Sequence, residues 1–292
     1  MKVEGSLVAL ITPMDIDGAI DYKNLGKLIE YHIASGTHGI VSVGTTGESA
    51  TLTVDEHLAV IEFTINAVNK RIPVIAGTGG NSTQEAIHLT QQADQLGSDA
   101  ALLVVPYYNK PTQEGLYLHF KAIAEAVSIP QILYNVPGRT VADMSNQTIN
   151  RLADIDNIVA CKDATGDLPR GRSLIDVCGD RLAILSGDDA TALELMKMGG
   201  VGDISVTANV APKEMSELCE SALARDFKKA GEIDDKLRGL HDNLFSESNP
   251  IPVKYAVSKL GYTSNTLRLP LTPLSKSYQA LIDNAMQRAL AK

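Results

Sequence analysis

In the stretch NIVACKDATGD, residues 157–167, an apolar run closes on a lysine: Lys162 stands where a buried strand should end and a polar, glycine-containing turn should begin. In water a lysine amine is protonated and unreactive at neutral pH, because its pKa lies at about 10.4. A dry pocket disfavours the ammonium, and the neutral amine can then form an imine with a ketone. The imine draws electrons away, so a proton beside the former carbonyl carbon becomes removable without metal or cofactor. Such chemistry needs an acid–base partner. Tyr134, at the end of the preceding apolar run, carries a phenol that can pass a proton if it is hydrogen-bonded to another hydroxyl such as Thr45. The plainer alternative is a lysine whose stem packs while its ammonium reaches water, beside a tyrosine that fills a core.

The choice turns on what positions these groups. Runs rich in Val, Ile and Leu recur at 6–13, 39–48, 73–80, 100–108, 131–137, 158–166, 182–189 and 202–210. Between them lie segments of helical period, such as VDEHLAVIEFTINAVN after Thr53 and TQEAIHLTQQADQLG after Ser82. Both open with a capping box, Thr53 with Glu56 and Ser82 with Glu85. Gly36, Gly97, Gly179 and Gly199 stand where helices should stop. Continuous apolar strands separated by helices predict a parallel sheet covered by helices. Eight such units favour an α/β fold of the closed (β/α)₈ TIM-barrel type over an open doubly wound sheet. After about residue 224 the period is helical throughout, which predicts a barrel domain over 1–224 and a small C-terminal helical domain over 225–292. SESNPIP and RLPLTPLS mark the breaks inside it.

Composition narrows the function. Of 292 residues 44% are hydrophobic and 21% charged, the balance of a globular chain without disordered tracts. A net charge of −9, with no arginine–lysine cluster, argues against nucleic acid. The N-terminal apolar stretch is too short to span a bilayer and lacks a small-residue cleavage site, so a cytoplasmic location is expected and no membrane partner. Cys161, Cys178 and Cys219 suit neither a disulfide framework nor a zinc site, and strand alternation turns Cys161 away from Lys162 as a packing residue. GTGGN at 77–81 does not read GxGxxG and is expected to permit a tight turn, not to bind a dinucleotide. DEH at 55–57 scatters its side chains around a helix, so no metal site is expected. Lys110, Lys121 and Lys254 are expected in solvent, and Asp188 with Asp189 at the start of a helix.

A barrel of this type gathers its chemistry where strands end. The runs end on Thr12, then Thr45, Thr46 and Glu48, then Tyr107 and Tyr108, then Tyr134 and Arg139, then Lys162, then Ser186 and Asp188, then Ser205 and Thr207. Convergence of a lysine, tyrosines, threonines and an arginine on one rim says more than any one of them, because a barrel brings distant strand ends together.

Taken in order, GTTGES, PYYNKPTQEGLYLHF, ILYNVPGRT, KDATGD, LSGDD and SVTANV resemble the 4-hydroxy-tetrahydrodipicolinate (dihydrodipicolinate) synthases of the pyruvate-dependent lyase and aldolase superfamily, over essentially the whole chain. The resemblance implies a homotetramer that needs no cofactor and condenses pyruvate with L-aspartate 4-semialdehyde on the route to diaminopimelate and lysine. It implies Lys162 as the Schiff-base residue and Thr45, Tyr134 and Tyr108 as a proton relay, Tyr108 entering from a neighbouring subunit. Thr46, Gly187 and the Ile204 backbone would hold pyruvate, and Arg139 the semialdehyde carboxylate. Ser49, Ala50, His57, Asn81, Glu85 and Tyr107 would line a feedback site for L-lysine. Val54 replaces a histidine found there in some relatives, which implies weaker inhibition. Asp203 and Asp163 depart from the apolar residue and the glutamate common at these positions. Within the superfamily the alternative is an aldolase such as N-acetylneuraminate lyase, against which Arg139 discriminates, because a short carboxylate substrate needs a charge-assisted partner. A catalytically silent barrel serving as a scaffold is the alternative from another class.

Overall fold

The structure, a computed structural model, describes residues 3–291. Eight strands, β1 (Gly5–Ala9), β2 (Gly39–Ser42), β3 (Val74–Gly77), β4 (Ala100–Val104), β5 (Gln131–Asn135), β6 (Ile158–Asp163), β7 (Ala183–Ser186) and β8 (Gly202–Ser205), pair in parallel in chain order. β8 returns to β1, Ile204 standing beside Leu7, and so closes the expected barrel. Around it run α1 (Tyr22–Ala34), α2 (Val54–Val68), α3 (Thr83–Leu96), α4 (Gln113–Ala126), α5 (Pro137–Thr140), α6 (Asn146–Leu152), α7 (Leu168–Cys178), α8 (Ala192–Lys197) and α9 (Pro212–Leu223). The helices α10 (Phe227–Asn243), α11 (Ile251–Lys259) and α12 (Lys276–Ala289) follow.

Strand alternation sorts the core into an inside and an outside. Leu7, Val41, Ile75, Leu102, Ile132, Leu185 and Ile204 fill the barrel as one buried cluster. Val8, Ile40 and Val74 point outward and pack with Leu25, Ile29 and Ile61 of α1 and α2. Leu103, Leu133, Cys161 and Ile184 do the same beneath Phe120, Ile149 and Leu174 of α4, α6 and α7. Cys161 is thus a packing residue, as its parity with Lys162 requires.

The punctuation is mostly as read from the residues. Thr53 and Glu56 complete their capping box, and the Ser82 hydroxyl accepts from the Glu85 amide at 3.4 Å. The carboxylate of Glu85 does not close the second box; it faces a cleft described below. Gly97 ends α3 in the left-handed region at φ 92°. Gly79 in GTGGN serves close approach, since a Cβ there would lie 2.2 Å from the Val104 amide nitrogen on β4. The clustered glycines therefore seat one βα turn on the neighbouring strand.

The C-terminal helices share the barrel's outer core: Leu237, Leu240, Ile282 and Met286 belong to the same buried cluster as Val8 and Leu28. Here one expectation fails. Lys254 is not solvated but completely buried, paired with Glu48, which is also completely buried. A lysine after two prolines reads as exposed when the chain segment is taken alone; its carboxylate partner lies 206 residues away in sequence.

Candidate active site

Tyr134 and Lys162 stand directly beside one another in the register of β5 and β6, and both side chains turn into the barrel. Lys162 is 5% exposed, and its Nζ lies 4.3 Å from the centre of the Tyr134 ring. The stem has room because residue 187 is glycine: a Cβ there would come within 2.5 Å of Lys162 Cε. Together these residues wall a cavity of about 110 Å³ at the carboxyl ends of the strands, whose other walls include Thr45, Thr46, Arg139, Asp188 and Asn249.

The turn after β2 supplies Thr45 and Thr46. Its backbone folds on itself through Gly47 N to Gly44 O at 3.0 Å and Glu48 N to Thr45 O at 3.1 Å, with Val43 and Glu48 at positive φ. Thr45 and the Tyr134 phenol share the cavity wall, with no hydrogen bond between them among the described residues. Arg139 lies on α5, at the lip; its Nη2 donates to the Asn249 carbonyl at 3.0 Å, and it makes no ion pair among the described residues. A guanidinium left without a counter-ion at the mouth is suited to a carboxylate ligand. Asn249 in turn donates from Nδ2 to Thr46 Oγ1 at 2.9 Å. Asn249 escapes a search restricted to strand ends, because it comes from the segment before α11; the SNPIP break was its one visible trace.

A second, larger cleft of about 320 Å³ adjoins the first, and Thr45, Val136 and Arg139 line both. Ser49, Ala50, Val54, His57, Glu85 and Tyr107 lie on its walls. Asn81 lies at its edge, where its Nδ2 donates to the Tyr107 carbonyl at 3.3 Å. His57 Nε2 donates to the Gly77 carbonyl at 2.7 Å, and burial holds the ring below its ordinary pKa, hence neutral. Tyr108 faces neither cavity: it is 88% exposed, at φ 74°, inside a turn closed by Asn109 N to Tyr107 O at 2.9 Å. A positive central φ in so tight a turn is strained, and strain of this kind is retained where a side chain must be aimed.

At the end of β8, Ile204 is buried inside the barrel beneath the cavity, while Asp203 and Ser205 point outward. Asp189, with Asp188, opens a helix as expected, a 3₁₀ turn over Asp189–Thr191 that leads into α8, but does not cap it with its side chain. Its buried carboxylate takes bonds from the Ser205 hydroxyl and from the amides of Val206 and Thr207, both at 3.0 Å, and so fixes the β8 end. Asp188 gives no side-chain cap to the backbone either; its Oδ2 accepts from the Thr191 hydroxyl at 2.6 Å. Burial opposes the Asp189 charge, but His241 and these donors outweigh it and leave the carboxyl below its usual range. Asp203 goes the other way. Burial, and then the Asp189 charge, push it well above the carboxylate range, and neither of its oxygens has a protein donor. Two carboxyls side by side bond only through a proton, which Asp203 keeps. Asp163 also points outward from β6, accepting from the Thr165 amide at 3.1 Å. Neither departure therefore touches the cavity.

A closed parallel barrel with a buried lysine against a tyrosine at its carboxyl rim, and an unpaired arginine at the lip, defines a barrel lyase of the imine-forming class. The sequence profile of the dihydrodipicolinate synthetase family matches residues 2–289, and the chain belongs to that family. A 4-hydroxy-tetrahydrodipicolinate synthase of Psychrobacter arcticus is 60% identical, over 99% of this chain and 96% of its own. A dihydrodipicolinate synthase of Acinetobacter baumannii, solved in complex with pyruvate, is 59% identical, with a TM-score of 0.98 over 99% of both chains. One from Cyanidioschyzon merolae, solved with lysine bound, is 38% identical, with a TM-score of 0.95 over 98% of both.

Proposed function

We propose that this chain condenses pyruvate with L-aspartate 4-semialdehyde to give 4-hydroxy-tetrahydrodipicolinate, in diaminopimelate and lysine biosynthesis. The observation that carries the proposal is the Lys162–Tyr134 pair walled into the small cavity, with Arg139 on its lip. The Lys162 amine adds to the keto carbon of pyruvate and expels water to form an imine. Loss of a methyl proton gives the enamine, whose carbon attacks the aldehyde, and the aldehyde oxygen takes up a proton. The amine of the second substrate then closes on the imine carbon and releases Lys162. Tyr134, Thr45 and Tyr108 relay the protons, with each Tyr108 completing the site of a neighbouring subunit. Thr46, Gly187 and the Ile204 backbone hold the pyruvate carboxylate and stem, and Arg139 holds the semialdehyde carboxylate.

The larger cleft accepts L-lysine as a feedback inhibitor, through Ser49, Ala50, His57, Asn81, Glu85 and Tyr107. Its walls contain Thr45 and Arg139, which gives an occupant a direct way to disturb the reaction. The enzyme works as a homotetramer in the cytoplasm. Support for assembly comes from the strained, exposed Tyr108 and from exposed Val141 and Leu269; no described helix is long and apolar enough to cross a membrane. We further propose the division into a barrel over 1–224 and a helical domain over 225–292, supported by the gap between α9 and α10.

The test is borohydride reduction in the presence of pyruvate, followed by mass measurement, beside a coupled assay with both substrates. The expected result is one pyruvate-derived adduct on Lys162 and turnover that lysine suppresses. Absence of both adduct and turnover would leave the scaffold alternative standing; turnover unchanged at high millimolar lysine would remove the feedback site alone.

A further inference from the structure

Four bonds join the chain beyond residue 248 to the catalytic rim. Asn249 Nδ2 donates to Thr46 Oγ1 at 2.9 Å, and the Asn249 carbonyl accepts from Arg139 at 3.0 Å. Lys254 is bonded to Glu48 Oε1, both side chains wholly buried, and the Arg268 amide donates to Glu48 Oε2 at 3.2 Å. Glu48 belongs to the same turn as Thr45, whose carbonyl accepts from the Glu48 amide at 3.1 Å, and its own φ is 60°. That turn runs from β2 into a one-turn 3₁₀ helix over Ser49–Thr51 that starts at Glu48, and Thr12 Oγ1 holds its Gly47 carbonyl at 2.7 Å; the grip on Glu48 is what ties its shape to α11.

A buried ion pair is a poor device for stability. Desolvation cancels most of its attraction, and apolar side chains of similar volume are commonly as good or better. Its best-attested use is to impose one arrangement on otherwise ambiguous partners. We propose that the Glu48–Lys254 pair is a positioning device for the condensation: from α11 it sets the turn that aims Thr45 and Thr46 into the cavity. Without it the turn relaxes toward unstrained backbone, and the two hydroxyls leave their places. The proposal rests on the function given above, and Glu48 and Lys254 themselves touch no substrate.

The experiment compares the native protein with the double variant Glu48→Leu/Lys254→Met, which removes both charges at once and leaves neither stranded. The expected result is unchanged or higher thermal stability, kcat lower by about ten- to a hundredfold, and a raised KM for pyruvate. The KM for the semialdehyde should stay within about twofold, because Arg139 is held by Asn249 and not by Glu48. A merely structural pair would not split the constants in this way. Should the double variant fail to fold, Glu48→Gln, of equal size, decides by the same kcat and KM measurements. Folded variants with kcat within about twofold of native overturn the proposal. A native protein without pyruvate adduct or turnover overturns the function instead, so the two failures are distinct.

Discussion

Gly187 leaves the space that the Lys162 stem fills, and this makes a very small substitution severe. A methyl group in Gly187→Ala would lie 2.5 Å from Lys162 Cε and 2.8 Å from the Ala164 Cβ. The lysine must swing aside, and a displacement of about 1 Å is enough to cost about a hundredfold in rate. We expect Gly187→Ala to retain its fold by circular dichroism and to lose kcat on that scale, with pyruvate adduct formation slowed in parallel; native kinetics would show that the stem has slack. At this scale the sequence was most legible where chemistry sits on a strand end. Lys162 and Tyr134 follow from parity and adjacency alone, because neighbouring parallel strands bring equal depths side by side. Lys254 and Asn249 did not, because their partners Glu48 and Thr46 come from the other end of the chain and no local pattern encodes a long-range pair. Residue type alone misplaced the buried lysine in solvent.

Among the elements, each apolar run outlasts its strand. The run over 39–48 yields a strand over Gly39–Ser42, and the run over 158–166 one over Ile158–Asp163. The surplus forms the βα turns, VGTTGE after β2 and ATG after β6, rich in glycine and threonine, so the runs located the units and overstated the ladders. Short α5 and α6 carry too few residues to show a period, and the apolar pattern passed over them. β8 bears the clearest local conflict, a buried carboxyl at position 203 facing Asp189. Asp203 titrates above its unfolded value of 3.8, so the folded state holds the extra proton. Its stabilising contribution is present at low pH and is lost as pH rises from that value through the folded one. Asp203→Val removes the buried carboxyl, the bond it gives to Asp189 and this dependence together, while Asp189 keeps its bonds from Ser205, Val206 and Thr207. We expect it to stabilise the protein by about 1–3 kcal/mol at about pH 8 and by less at about pH 5, measured by urea unfolding. An advantage that grows toward acid would contradict the neutral-acid assignment.

For the molecule as a whole, the C-terminal helices serve as a brace on the rim. Arg268 reaches back to Glu56 of α2 at 2.6 and 2.7 Å and to the Gly18 and Thr51 carbonyls at 3.0 Å. The Arg268 bonds, with help from Thr53, hold the Glu56 carboxyl at about 2 against an unperturbed 4.5. A depressed carboxylate stabilises above its unfolded pKa, and the contribution vanishes as pH falls through the folded one. Between pH 4.5 and about 2, therefore, Tm should fall less steeply in Glu56→Gln than in the native protein; parallel curves would mean that the brace carries no load. The barrel interior has one more consequence. Leu7, Ile132 and Ala160 sit one inward step below Ala9, Tyr134 and Lys162, so the reaction well has a floor. On the proposed function, a well with a floor imposes a queue: the keto acid that bonds at the bottom would descend first, and the finished ring would lift out before the next one enters. An aldehyde arriving early would act as a cork.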